Sequence, residues 1–289
     1  MNRGNEVAIM ESGSGNPDPL EIRVENLHKS FDSNQVLRGV NLSVQRGEMI
    51  AIVGGSGCGK TVLMEHLIGK MRPDEGRVML ADHESAGSRL VDLSTLDEAG
   101  MDRLRIHWAV VFQGNGLLSG TVEYNISLPL EWVKGLEESE IRRRTRRAIE
   151  AVGLNPDEIL GKTSEELSGG MAKRIAIARA LALDPLLIFY DEPTTGLDPE
   201  HAELIQNLIF ETHQKSSGEL RRTSLIITHD RDLLRRLQPR IAMLNEGRVF
   251  FDGSYTAFQK SDSPVIRPYF ELMPILQQGP VPPSGPGMQ

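Results

Sequence analysis

Cysteine is nearly missing from this chain of 289 residues, which holds one, Cys58. No internal disulfide can form, so a disulfide-stapled secreted scaffold is excluded and a reducing compartment fits. Long apolar runs are missing too. None approaches the roughly 18 residues that a spanning helix needs, and the longest, such as Leu186 to Tyr190, suit buried strands. If the protein works at a membrane, another subunit must hold it there. Positive charge is not in excess: the formal net charge is −8, which disfavours nonspecific contact with nucleic acid. Residues 1 to about 19 (MNRGNEVAIMESGSGNPDP) lack the apolar core of a secretory leader. They read as a disordered arm, and the Pro/Gly-rich QGPVPPSGPGMQ at the other end reads as a disordered tail.

What lies between is well patterned. Ile22-Arg23-Val24 and Val40 to Val44 alternate in polarity, as strands of a half-exposed sheet do. Met49 to Val53 is a short apolar run, followed by a Gly-rich turn and the amphipathic stretch Val62 to Ile68. Residues 83–90 (HESAGSRL) read as a polar surface loop. From about 115 to 183 the pattern is mainly helical; Ile141, Ala148, Ile149 and Val152 keep helical spacing. Leu186 to Tyr190 and Ser224 to Thr228 are buried-type strands, and Ile241 to Leu244 with Val249 to Phe251 flank a hairpin turn. Strands alternate with helices on both sides of the helical block. A mostly parallel sheet with an inserted helical lobe is expected. The run Arg142, Arg143, Arg144, Arg146 and Arg147 follows Glu137, Glu138 and Glu140, as on a solvated face laced with ion pairs.

The turn after Val53 is Gly54-Gly55-Ser56-Gly57-Cys58-Gly59-Lys60-Thr61, which fits G-x-x-x-x-G-K-[ST] between a strand and a helix. Glycines let backbone N–H groups turn inward around phosphate oxygens, and the helix N-terminus adds its positive dipole end. Lys60 is placed to reach the β- and γ-phosphates, and the Thr61 hydroxyl to ligate Mg²⁺. The strand Leu186 to Tyr190 delivers Asp191 and Glu192 to its C-terminal edge, where α/β sheets bind ligands. Asp191 suits Mg²⁺, and Glu192 suits polarisation of an attacking water.

Leu167-Ser168-Gly169-Gly170-Met171, just ahead of a helix, resembles the LSGGQ signature of ABC ATPases. Other matches follow in that family's order: Gln113 after a strand-like run, Thr195-Gly196-Leu197-Asp198 after the acidic pair, and His229 after Thr228. The resemblance covers about residues 20–255. It implies a P-loop NTPase (RecA-like) α/β core with an N-terminal antiparallel β region and an inserted α-helical lobe. Residues 256–289 then form an extension and tail. It implies ATP and Mg²⁺ as ligands, with Gly54 to Thr61 and Phe31 on the nucleotide. Ser168, Gly169 and Gly170 would lie on the ATP of a second, head-to-tail subunit, and Thr61, Gln113 and Asp191 on the metal. Glu192, His229 and Gln113 would serve hydrolysis. Met171 departs from the usual glutamine and Cys58 sits inside the phosphate loop; neither removes a catalytic group.

The stretch Glu166 to Ala180 (ELSGGMAKRIAIARA), with Phe112 to Leu118 and Asp262 to Phe270, resembles the ATPase subunits of Mla/Mce-type phospholipid transporters. That implies a peripheral homodimer on the cytoplasmic face of the inner membrane, bound to an integral-membrane permease and an Mce-type lipid-binding partner, and no nucleic acid. Two alternatives share the same cassette: an importer motor for a polar solute, and a non-transport ATPase such as a cell-division-type scaffold.

Overall fold

Two twelve-residue strands, β1 (Leu20–Phe31) and β2 (Asn34–Gln45), pair antiparallel across a tight turn in which Asp32 takes φ +52°. They belong to a computed structural model that describes residues 19–215 and 221–268. The expected arm over residues 1–18 and the tail beyond 268 lie outside the described residues. In the hairpin, Ile22, Val24, Leu27, Leu37, Val40, Leu42 and Val44 face inward. The two-residue alternation slips at Asn26, whose N–H donates to Asn41 Oδ1 at 3.0 Å. A register slip there keeps both halves of β1 facing the core.

The chain then runs through β3 (Met49–Val53), α1 (Lys60–Leu67), β4 (Glu75–Ala81), β5 (Leu90–Asp92), α2 (Glu98–Arg105) and β6 (Trp108–Val111). A helical lobe follows, made of α3 (Val122–Lys134), α4 (Glu138–Ala151), α5 (Pro156–Ile159) and α6 (Gly169–Ala182). The remainder alternates: β7 (Leu187–Asp191), α7 (Pro199–Gln214), β8 (Thr223–Ile227), α8 (Arg231–Leu237), β9 (Arg240–Asn245), β10 (Arg248–Ser254) and α9 (Tyr255–Gln259).

One sheet has the order β2-β1-β4-β5 and the other β10-β9-β3-β8-β7-β6. In the second, β9, β3, β8, β7 and β6 run parallel, and β10 is an antiparallel edge. A parallel sheet is covered on both faces, so its strands read as continuous apolar runs. That explains MIAIV in β3 and LIFYD in β7. Successive residues alternate between cores: Leu187 and Phe189 join Ile50, Ile52, Leu225 and the antiparallel sheet, while Ile188 and Tyr190 join Ile126, Ile149 and Ile177 of the helical lobe. At the far edge Tyr255, Phe258 and Ile266 close over Ala51, Val53 and Met243.

The loop over residues 83–90 lies at the surface as expected, except that the His83 side chain turns inward. Glu21 is 3% exposed, and a buried carboxylate needs partners. The loop supplies one: His83 Nε2 lies 2.8 Å from Glu21 Oε1, which draws the imidazole inward, while Leu90 already begins β5. The arginine run on α4 does carry ion pairs, Arg142 with Glu138, Arg143 and Arg144 with Glu140, and Arg146 with Asp157.

Candidate functional site

In a parallel sheet every strand ends at the same edge. Here the segments after β3, β8, β7 and β6 carry Lys60, His229, Asp191 with Glu192, and Gln113. These strands are neighbours in the order β3-β8-β7-β6, so residues far apart in sequence meet along one edge.

The loop after β3 is shaped by glycine where no other residue fits. A Cβ on Gly54 (φ +148°) would stand 2.4 Å from Leu244 O and 2.7 Å from Cys58 Sγ; one on Gly59 (φ +105°) would stand 2.7 Å from Leu37 Cδ2. Gly59 begins α1 without any side-chain cap, whereas Ser168, Asp198 and Asp230 cap α6, α7 and α8 through their side chains. The first N–H groups of α1 are thus left for a ligand. Lys60 Nζ turns back into the loop and donates to Gly54 O at 2.9 Å and Gly55 O at 3.0 Å. Ser56 and Thr61 are exposed beside it.

Asp191 is the last residue of β7, and Glu192 follows it. Burial, and then the neighbouring Glu192, push the Asp191 carboxyl above its ordinary range, with Lys173 and Lys60 pulling the other way. Glu192 takes the left-handed region, φ +46°, a conformation that costs a non-glycine residue of order 1 kcal/mol. Its N–H is tied to Ile227 O at 2.9 Å. That tie turns the side chain toward His229, whose Nδ1 lies 2.8 Å from Glu192 Oε2. Thr195 Oγ1 donates to the same oxygen at 3.3 Å. The His229 side chain is 54% exposed and that of Glu192 12%, so the imidazole faces outward over a sheltered carboxylate.

Phe31 stands at the end of β1, 43% exposed, with Lys29 Nζ 5.7 Å from its ring centroid. Gln113 is exposed just beyond β6. Ser168, Gly169 and Gly170 are elsewhere: they open α6 in the helical lobe, where Ser168 Oγ accepts from Met171 N at 3.3 Å. Gly170 is pressed on the His201 ring, 2.4 Å from where a Cβ would be. His201 in turn lies 2.6 Å from Asp198 Oδ2, so the signature packs on the first turn of α7.

Several residues that hold these groups belong to no motif. Asp230 accepts from Thr194 Oγ1 at 2.7 Å and caps α8 directly after His229. Lys173, 2% exposed, donates to the carbonyls of Phe112 and Gln113 at 3.2 and 2.8 Å. In the sequence it is one of three cations on α6, with Arg174 and Arg179, and nothing local marks it out.

The ABC transporter family model matches residues 37–195, spanning the glycine loop, the signature and the acidic pair. The chain belongs to the ABC transporter family. This cassette is 38% identical over 236 residues to the methionine import ATP-binding protein MetN of Caulobacter vibrioides, across 81% of this chain and 67% of that protein. MetN of Brucella abortus is 33% identical over 254 residues, 87% of this chain and 65% of the relative. A probable ribonucleotide transport ATP-binding protein, mkl, of Mycobacterium tuberculosis is 33% identical over 259 residues, 89% and 68%. The cassette therefore spans 65–68% of the length of these relatives. A dimeric ATP-binding cassette in a post-hydrolysis state, bound to ADP and Pi, matches with TM-score 0.70 at 28% identity, over 81% of this chain and 98% of that one. For cbiO1 from Clostridium perfringens, part of the cbiONQ transporter complex, the values are 0.70 and 30%, over 88% and 99%.

The fold is the ABC ATPase cassette, with ATP as substrate and Mg²⁺ as cofactor. The residues fit that pair. The glycine loop leaves no room for side chains at Gly54 and Gly59, and Thr61, Gln113 and Asp191 offer the hard oxygen donors that Mg²⁺ prefers. Among the described residues no helix is long and apolar enough to cross a membrane.

Proposed function

We propose that two copies of this cassette close head to tail on two ATP molecules and drive a separate integral-membrane permease from the cytoplasmic face of the inner membrane. The observation that carries the reading is that one chain sets its two glycine-marked helix starts apart, α1 with Lys60 in the sheet core and α6 with Ser168 in the helical lobe. Backbone N–H groups of Gly54 to Thr61, with Lys60, hold the phosphates of ATP, and Phe31 stacks on its base. Ser168, Gly169 and Gly170 of the second copy cover the γ-phosphate. Thr61, Gln113 and Asp191 hold Mg²⁺, which would offset phosphate charge. Glu192 polarises the attacking water. His229, braced at 2.8 Å by Glu192, donates to the γ-phosphate as charge builds there.

Light scattering on the Glu192→Gln chain tests the dimer. ATP should convert it from monomer to dimer; a chain that stays monomeric in saturating ATP overturns the head-to-tail reading.

For cargo, the residues after the signature glycines, Met-Ala-Lys-Arg at 171–174, favour a phospholipid or another hydrophobic molecule, with an Mce-type lipid-binding partner. The relatives named for methionine import support a second reading, a small polar solute. Capture of the ATP-trapped Glu192→Gln chain from native membranes separates the two. A permease recovered with a lipid-binding subunit supports the first, and a permease recovered with a solute-binding protein supports the second.

A further inference from the structure

The segment that carries Gln113 lies beyond the reach of the sheet. β6 ends at Val111, and after it the backbone turns tightly: Asn115 N donates to Phe112 O at 3.2 Å, Gly116 N to Gly114 O at 2.6 Å, and Asn115 and Gly116 both take positive φ. Carbonyls that a strand would have paired are met instead by two cations of α6. Lys173 Nζ donates to Phe112 O and Gln113 O. Arg179 donates from one guanidinium nitrogen to Gly116 O at 2.7 Å and from the other to Asn115 O at 3.3 Å. Four carbonyls within five successive residues are therefore gripped by one helix, the helix whose first residues are the signature glycines.

This grip opposes the preference of charge for water. Lys173 is 2% exposed, and burial lowers its pKa and that of Arg179. A buried ammonium is kept only where dipoles or an opposite charge offset its desolvation. For Lys173 the offset comes from the two loop carbonyls and from the field of Asp191. One ammonium thus touches the Gln113 loop and senses the acidic end of β7, while its backbone belongs to the signature helix.

The geometry points to Lys173, seconded by Arg179, as the residue that positions Gln113 and transmits displacement of the signature helix to the Gln113 loop. Neither cation contacts the reacting atoms; both act through the backbone they hold. Any shift of α6 as Ser168 engages the ATP of the second copy carries the Gln113 carbonyl with it, because a charge-assisted contact at 2.8 Å has little slack. This coupling rests on the role proposed for Gln113.

The test is a double-mutant cycle on the full chain, with Lys173→Met, Gln113→Ala and the combination, read as kcat and KM for ATP and accompanied by thermal melts. Lys173→Met should lower kcat by about 10- to 100-fold, the range that a small misplacement of a catalytic group costs. KM should hold within about threefold, and Lys173→Arg should restore most of the rate. On a Gln113→Ala background the same change should cost less than about twofold, since residues acting as one unit are not additive. A full loss that persists on that background overturns the inference, as does a folded Lys173→Met chain with parental kcat. If Gln113→Ala is itself without effect, it is the Gln113 assignment that fails. Where Lys173→Met melts low, the cycle is run with Arg179→Gln, whose parent side chain is only half-buried, and the same outcomes support or overturn the coupling.

Discussion

Glu192 Oε2 lies 2.8 Å from His229 Nδ1, a contact made between the ends of neighbouring strands β7 and β8. The carboxylate is sheltered and the imidazole is exposed, so the pair presents a base braced by an orienting partner. Glu192→Gln should lower phosphate release by about 100-fold or more, the range of general acid–base catalysis, with ATP binding preserved. Retention of near-parental turnover removes Glu192 from the proposed role.

The glycine loop tolerates no Cβ at two places. Gly59→Ala would set a methyl 2.7 Å from Leu37 Cδ2 on a backbone at φ +105°, which alanine rarely adopts. Nucleotide affinity should fall by at least about tenfold, since a distortion of about 1.4 kcal/mol suffices for that factor. Fluorescent-ATP titration checks it, with circular dichroism to confirm that the sheet persists.

Cys58 sits where a bulky adduct would crowd the phosphates, packed against Gly54. Alkylation by a maleimide should abolish ATP binding, bound ATP should protect, and Cys58→Ser should make the chain indifferent to the reagent. Labelling that leaves ATP affinity unchanged contradicts this placement.

Arg222 is 5% exposed and satisfies Pro185 O, Thr212 O and Asp184 Oδ1 at 2.8, 2.9 and 2.9 Å. It ties the start of β8 to the turn before β7 and to the end of α7. Arg222→Ala strands buried carbonyls and should cost roughly 3 kcal/mol, the scale of losing a buried charged hydrogen-bond network. Urea unfolding with an unchanged m-value is the measurement.

Glu140 on α4 is held well below its ordinary carboxylate range, at about 2 from 4.5, by hydrogen bonds from Arg143 and then Arg144. A depressed carboxylate contributes stability above its unfolded pKa, and that contribution is lost as pH falls through the folded value. The Tm difference between the parent and Glu140→Gln should be full at pH 7 and shrink from about pH 4.5 toward pH 2. A difference that stays constant across that window refutes the pairing.

Those parts of the site that depend on local chemistry are readable from the chain. The glycine loop, the Asp191-Glu192 end of a buried strand and Ser168 as a helix start each show within a few residues. The alternation of β1 and β2 and the unbroken apolar runs of β3 and β7 do the same for the fold. What the sequence hides depends on distant pairing. His83 reads as a surface residue because its partner, Glu21, lies about 60 residues earlier, on the neighbouring strand β1. Lys173 reads as one more basic residue near a signature because the carbonyls it meets lie about 60 residues earlier. Polar groups buried by tertiary contact have no periodicity to betray them.

The pairing of β3 has a consequence for how the protein comes into being. Ile50 is paired in register with Leu225 on one side and Arg240 on the other. The strand that ends in the glycine loop thus gains both neighbours only once β8 and β9, far downstream of it, have been made. The helical lobe, with its contacts between α3, α4 and α6, closes locally and much sooner. A nascent chain can therefore hold a formed signature helix long before it can hold a nucleotide, and a fragment cut before β8 keeps the glycine motif without the sheet edge that gives it shape.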